Sequence, residues 1–270
     1  MSERPTGPSG ATGAALRSQV GQLARRSVVR TARQPAQIVP SVVFPLFLLA
    51  VNSSGLDPAT RIHGFPTDSY LSFALAIPFI QAGIFAVANG GSDFARDIET
   101  GFLDRLALTP LSGLGLVLGQ MAGVLALGLF QALVYLGVGL LAGSEFEAGA
   151  PGLLVLLALA LMISLAFGAI GMFAALRLGS GEAVQGLFPV LFVFLFLSSM
   201  SLPRNLIEID WFRTVATYNP VSYLIEGVRS LLITGFDGEA LGLAFGCAAA
   251  IAAVFLAASS LALRTRLVRT

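Results

Sequence analysis

Within RDIETGFLDRLALTP, residues 96–110, five charged side chains stand close together: Arg96, Asp97, Glu99, Asp104 and Arg105. Long apolar runs flank them on both sides. Side chains of both signs at this density can pair within a helix or with a neighbouring protein, and they do not enter lipid unpartnered. A second polar group lies in YNPVSYLIEGVRSLLITG, residues 218–235, where Glu226 and Arg229 sit at i, i+3 and can pair. All 16 basic residues of the chain are Arg, so the phosphate loop G-x-x-x-x-G-K-[ST] cannot be built and ATP hydrolysis by that machinery is excluded. The single His63 has no Cys neighbour, and the single Cys247 lies inside an apolar run as a small hydrophobe. No ionisable residue falls in the centre of an apolar run, where a charge costs roughly 2.5–3.5 kcal/mol and is kept only for function. This counts against a proton-driven antiporter, and an intramembrane hydrolase would lack both metal ligands and an acid–base pair. On this reading the chain binds no cofactor or metal and is not an enzyme.

The elements that must hold these residues follow from composition. Of 270 residues, 56% are hydrophobic and 11% charged, where a soluble domain carries about 25% charged residues. Apolar runs able to cross a bilayer, which takes about 20 residues, recur along the chain. The fold class read from them is an all-α membrane protein with six spans, at about 36–54, 69–91, 112–142, 150–176, 183–202 and 240–263. Pro40 and Pro45 interrupt the first and Pro78 the second. Residues 1–13, rich in Ser, Gly, Pro and Thr, read as a disordered tail. Residues 14–34 are too polar for a signal peptide. They put Arg26, Arg30 and Arg33 on one helical face beside Leu16, Val20 and Leu23. A helix lying on the membrane and a plain solvated helix both satisfy that pattern. With the N-terminus inside, 12 of the 16 Arg lie on the inner side, which makes both termini and the 96–110 loop cytoplasmic. Gly115, Gly119 and Gly123 repeat at i, i+4, i+8 in the third run, and Gly242 and Gly246 in the sixth. Such spacing lets helices approach closely, although a chain with 30 Gly also yields it by chance.

Phe94, Ile98, Phe102 and Leu106 share one sector of a helical wheel while Asp97, Thr100 and Asp104 face away. This pattern predicts a short amphipathic helix along the membrane over 92–110, stopped by Pro110, with a solvated loop as the alternative. In the second segment Asn219 suits an N-cap and Pro220 a first turn. Val221, Leu224, Ile225, Val228, Leu231 and Leu232 keep helical spacing, and Gly235 can close the end. That predicts an outer amphipathic, re-entrant helix before the last span.

The stretch DFARDIETGFLDRLALTPLSGLGLVLGQ resembles the cytoplasmic loop of ABC-2 type transporter permeases, with Glu99, Gly101, Leu106, Thr109 and Pro110 matching in order. The family often has Thr after that Gly; here it is Phe102. Asn219, Pro220, Tyr223, Glu226 and Arg229 match the family's N-P-x-x-Y-x-x-E-x-x-R segment. The resemblance covers nearly the whole chain, taking 14–270 as one transmembrane domain, and is greatest to drug-resistance permeases of the daunorubicin-exporter type. It implies a permease half that dimerises with an identical or homologous half in a cytoplasmic membrane of bacterial type. It implies two ATPase subunits, which hold the ATP and Mg and grip the coupling helix at Arg96, Asp97, Glu99, Gly101, Asp104, Arg105, Thr109 and Pro110. It also implies export. An apolar path with 20 Phe available suits an amphipathic or lipid-like cargo, and membrane lipid rather than nucleic acid is the other partner. An ion-coupled secondary carrier and a non-transporting assembly subunit are the competing readings.

Overall fold

The apolar runs fold as helices, and proline and glycine set where they break. The computed structural model describes residues 13–102, 113–144 and 146–267. Among them there is no strand. The helices are α1 (Gly13–Ala32), α2 (Pro35–Gly55), α3 (Tyr70–Ala74), α4 (Ala76–Glu99), α5 (Gly113–Leu141), α6 (Gly149–Leu178), α7 (Gly181–Gln185), α8 (Phe188–Phe196), α9 (Asp210–Tyr218), α10 (Pro220–Ile233) and α11 (Gly238–Leu267). Of the expected tail, only Gly13 is among the described residues.

Pro40 and Pro45, expected to interrupt the first span, sit inside an unbroken α2, because the carbonyl that Pro45 frees finds other donors: Pro45 has no N–H to give the carbonyl of Ser41, one turn back. That carbonyl instead accepts from Gln131 Nε2 at 3.0 Å and from the Tyr135 hydroxyl at 2.6 Å, both on α5. Pro78 likewise cannot bond to Ala74, and the helix is interrupted between Ala74 and Ala76. α3 and α4 together make a stretch of 30 residues, Tyr70–Glu99, roughly 45 Å at 1.5 Å per residue. This is the central rod: almost wholly buried, it packs on α2, α5, α6, α7, α8 and α10. Its contact with α6 is backbone on backbone, since a Cβ on Gly171 would lie 2.5 Å from the Val87 carbonyl oxygen.

Among the described residues five helices are long and apolar enough to cross a membrane: Pro35–Gly55, Tyr70–Glu99, Gly119–Leu141, Gly149–Leu178 and Gly238–Leu263. The sequence predicts a sixth at 183–202, which forms the shorter apolar segment Gly181–Phe196. It bends at Gly186, where α7 ends, and resumes with Pro189 in the first turn of α8. Sixteen helical residues would reach only about 24 Å, short of the ~30 Å hydrocarbon layer.

α1 is a helix, as its spacing predicts, and packs along α5. Leu23 and Ser27 are buried there. The glycine repeat serves this contact: a Cβ on Gly119 would lie 2.8 Å from Leu23 Cβ, and one on Gly123 2.6 Å from both Ser27 Oγ and Thr31 Oγ1. Gly115 lies in the first turn of α5. Gly242 and Gly246 on α11 face open space. Overpacking a tight contact costs about 1–3 kcal/mol. Gly123→Val is therefore expected to lower the thermal midpoint of the purified chain by several degrees, and Gly242→Val to leave it unchanged. Unfolding followed in one detergent for both variants checks this.

Candidate functional site

Two polar clusters sit at the two ends of the α3–α4 rod. At the α1 end the last turns of α4 carry Asp93 and Asp97. Asp97 is only 3% exposed, and a carboxylate so buried stays ionised only if donors surround it. Four hydrogen bonds supply them. Arg26 donates twice, at 3.1 and 3.3 Å; Arg30 Nη1 donates at 2.8 Å and Gln120 Nε2 at 2.7 Å. Arg30 also reaches Asp93, both its carbonyl oxygen at 3.2 Å and its carboxylate at 3.2 Å. Gln34 adds a further bond to Asp93 at 3.1 Å. α1, α4 and α5 are thus clasped through one carboxylate. The Arg26 guanidinium also lies 3.8 Å over the Phe102 ring, a cation–π contact that gives this residue a use without a hydroxyl.

The sequence predicts a separate amphipathic helix over 92–110 with Asp97 facing away from the membrane. Instead, residues 92–99 are the end of α4, and Asp97 points inward to α1 because two Arg side chains approach from that side. Arg96, Glu99 and Thr100 are exposed. Glu99 accepts a long 3.4 Å bond from the Gly181 N–H at the start of α7. Gly101 has φ +66° and ends α4 in the left-handed conformation that glycine takes without strain. Asp104, Arg105, Leu106, Thr109 and Pro110 lie outside the described residues.

At the other end α10 begins as expected. Asn219 accepts from the Val221 N–H at 2.9 Å, and Pro220 occupies the first turn. Its polar residues Asn219, Ser222, Glu226 and Arg229 recur at helical spacing and make one stripe. That stripe meets the end of α8, where the last carbonyls have no helical partner. Asn219 Nδ2 donates to the carbonyls of Phe194 at 2.6 Å and Leu197 at 3.0 Å. Ser222 Oγ accepts from the Ser199 N–H at 3.1 Å, and Glu226 accepts from the Ser199 hydroxyl at 3.0 Å. Arg229 is 7% exposed. It donates to the carbonyls of Phe73 at 3.2 Å, Ser199 at 3.2 Å and Met200 at 3.1 Å, with its guanidinium 3.5 Å over the Phe73 ring. The expected Glu226–Arg229 pair does not form, because Glu226 turns to Arg204, which also covers the Tyr223 ring. The Tyr223 hydroxyl caps the Thr217 carbonyl at 2.7 Å.

Sequence spacing therefore located Asp97, Asn219, Glu226 and Arg229 but missed their partners Arg26, Arg30, Gln120, Ser199 and Arg204. The available signal was weak: Gln120 and Gln131 are amides inside a long uncharged run. No group of three or more His, Cys, Asp or Glu among the described residues could hold a metal. What the clusters can do is hold helices in register.

Removing one partner of a hydrogen-bonded, largely buried charge costs about 2–4 kcal/mol, less where a partner is exposed. Asp97→Leu is expected to release α1. Limited trypsin digestion should then cut at Arg25, Arg26 and Arg30 at least about tenfold faster than in the parent chain, since a cost of 1.4 kcal/mol or more corresponds to a tenfold population change.

The sequence matches the ABC-2 type transporter family over residues 18–233. A putative transport permease, ycf38, of Pyropia yezoensis is 26% identical over 219 residues, covering 80% of this chain and 74% of that protein. The probable doxorubicin resistance ABC transporter permease protein DrrC of Mycobacterium tuberculosis is 24% identical over 210 residues, covering 78% of this chain and 75% of that protein. Both polar clusters lie within the matched span, on a bundle of apolar helices, and the chain belongs to the ABC-2 type transporter family of membrane permeases.

Proposed function

We propose that this chain is one half of an ATP-driven exporter, carrying an amphipathic or lipid-like molecule across the cytoplasmic membrane with both of its termini in the cytoplasm. ATP and Mg belong to two partner ATPase subunits, and a second permease half, identical or homologous, completes the path. The observation that carries this reading is the end of α4. There Asp97 is consumed internally by α1, while Arg96, Glu99 and Thr100 stay exposed just before Gly101. A rigid helix end with free charges of both signs is what a cytoplasmic subunit can grip. The same helix runs without a flexible joint to the Leu75 break, and through α3 it meets Arg229 at the other end. Force applied at 96–100 would tilt the rod and α1 together, and would shift α10 with them.

The cargo class is supported by a cavity of about 300 Å3 between α2, α4 and the α7–α8 segment. Phe85 and Phe188 line it with the amides of Gln37, Asn89 and Gln185. Phe44 and Phe192 extend the aromatic wall, with the Phe44 ring 6.3 Å from Phe85 and 5.9 Å from Phe192. Aromatic faces with a few uncharged hydrogen-bonding groups receive an amphiphile better than an ion.

Co-expression with the ATPase and purification in lipid tests the reading. The ATPase is expected to co-elute with the parent chain and to show permease-dependent hydrolysis. Arg96→Glu with Glu99→Arg should reduce that hydrolysis by about an order of magnitude or more while the chain keeps its thermal midpoint, as reversed charge pairs at an interface cost several kcal/mol. Failure of any ATPase to associate would bring a lone carrier or an assembly subunit forward.

A further inference from the structure

The cleft between α2, α4 and the α7–α8 segment leads to a group that the fold leaves unused. Gln81 lies inside the α3–α4 rod and is wholly buried. Neither its Oε1 nor its Nε2 has a hydrogen-bond partner among the described residues. Inside a membrane-spanning bundle no bulk water replaces one, so an amide left this way is costly and calls for a use. Asn89, two turns further along the rod, also keeps a buried Nδ2 without a partner. Helical spacing sets both amides on one face. Phe85, Ala88 and Asn89, at i+4, i+7 and i+8 from Gln81, all line the cleft. Asn89 stands in the cleft itself, and Gln81 lies about 12 Å beyond it along the helix. Between the two levels the way is closed by rings. Phe85 meets Phe44 at 6.3 Å and Phe188 at 5.0 Å, while Phe192 meets Phe44 at 5.9 Å and Phe188 at 4.8 Å. Phe44 belongs to α2, where only Ser41, Pro45 and Leu49 of 21 residues are buried. The hydrogen bonds that α2 receives from Gln131 and Tyr135 meet at one carbonyl, that of Ser41. The helix is thus held at a point about which it can swing.

We propose that Gln81 is a specificity-determining residue of the path, a second hydrogen-bonding station reached when α2 carries Phe44 aside. It selects an uncharged cargo that bears an amide or a comparable donor–acceptor group. The Gln81 side chain offers an acceptor at Oε1 and donors at Nε2, so one amide of the cargo can satisfy both ends. The rings receive the apolar body of the cargo while Asn89 and then Gln81 receive its polar group. Among the described residues that line the cleft, the hydrogen-bonding side chains are the amides of Gln37, Asn89 and Gln185, so a charged cargo finds no counter-charge there. The proposal rests on the reading of this cleft as the cargo path, but it does not depend on the ATPase.

The test compares the parent chain with Gln81→Met, both purified in the same lipid nanodiscs without an ATPase. Met has nearly the length of Gln and needs no partner, so the thermal midpoint is expected to stay level or rise. Two tritiated probes are bound to each chain, 1-pyrenebutanamide and 1-butylpyrene, which share the ring system and differ in the amide. Comparing the two chains for the same probe cancels its partition into lipid. Gln81→Met is expected to weaken pyrenebutanamide binding roughly tenfold and butylpyrene binding by less than about twofold, since only the first probe loses hydrogen bonds. Equal losses for both probes would reduce Gln81 to a packing role. Unchanged binding of both, or a parent chain that does not bind the amide probe, would leave its amide to a trapped water. A lowered midpoint would reveal a partner within the fold. Each of these results overturns the proposal. If the amide preference is found and yet no ATPase associates with the chain, the Gln81 station stands and the exporter reading falls.

Discussion

Asp97 is the constraint around which one end of this molecule is organised. A carboxylate 3% exposed at the end of an apolar helix cannot be left charged without donors, and Arg26, Arg30 and Gln120 meet that demand from two other helices. Once those bonds exist, the rest of that end is fixed. α1 must lie against α5, and Gly119 and Gly123 must lack side chains for it to lie close enough. The charges left over on α4 must then face outward. The clasp thus divides the described part of the charged segment into residues that hold the bundle together and residues left exposed.

The opposite end answers a related demand made by the backbone. Inside a membrane-spanning bundle, each carbonyl or N–H freed by a broken helix must find a partner within the protein. Pro45 frees the Ser41 carbonyl, and Gln131 and Tyr135 take it. The early end of α8 frees the carbonyls of Phe194 and Leu197, and Asn219 takes both. The turn at Ser199–Met200 is held by Ser222, Glu226 and Arg229. The N-P-x-x-Y-x-x-E-x-x-R pattern thereby acquires a physical meaning: apart from Pro220 and Tyr223, its polar members secure an interrupted helix. Membership of the ABC-2 type transporter family and this geometry agree in one respect. Both describe a helical membrane protein.

Much of this was legible in the chain itself, and the boundary has a physical cause. Hydropathy determined that the protein is a helical membrane bundle, and local chemistry determined where helices start and stop: Pro220 in a first turn, Asn219 as a cap, Gly235 as an end, Pro78 as a break. These effects act within a turn or two, so spacing suffices to read them. Which groups meet was decided only in three dimensions. Arg26 and Asp97 are 71 positions apart, and nothing local specifies that α1 turns toward α4. Glu226 looked suited to Arg229 at i, i+3, yet Arg204 arrives from a separate turn and captures it. The α5 glycines signalled a close contact without naming α1 as the partner. The fifth apolar run read as a span, but its break at Gly186 and its end at Phe196 leave it shorter than the other five. Pairings like these depend on how each helix is rotated and how near its neighbour comes, and that is set by packing over the whole bundle.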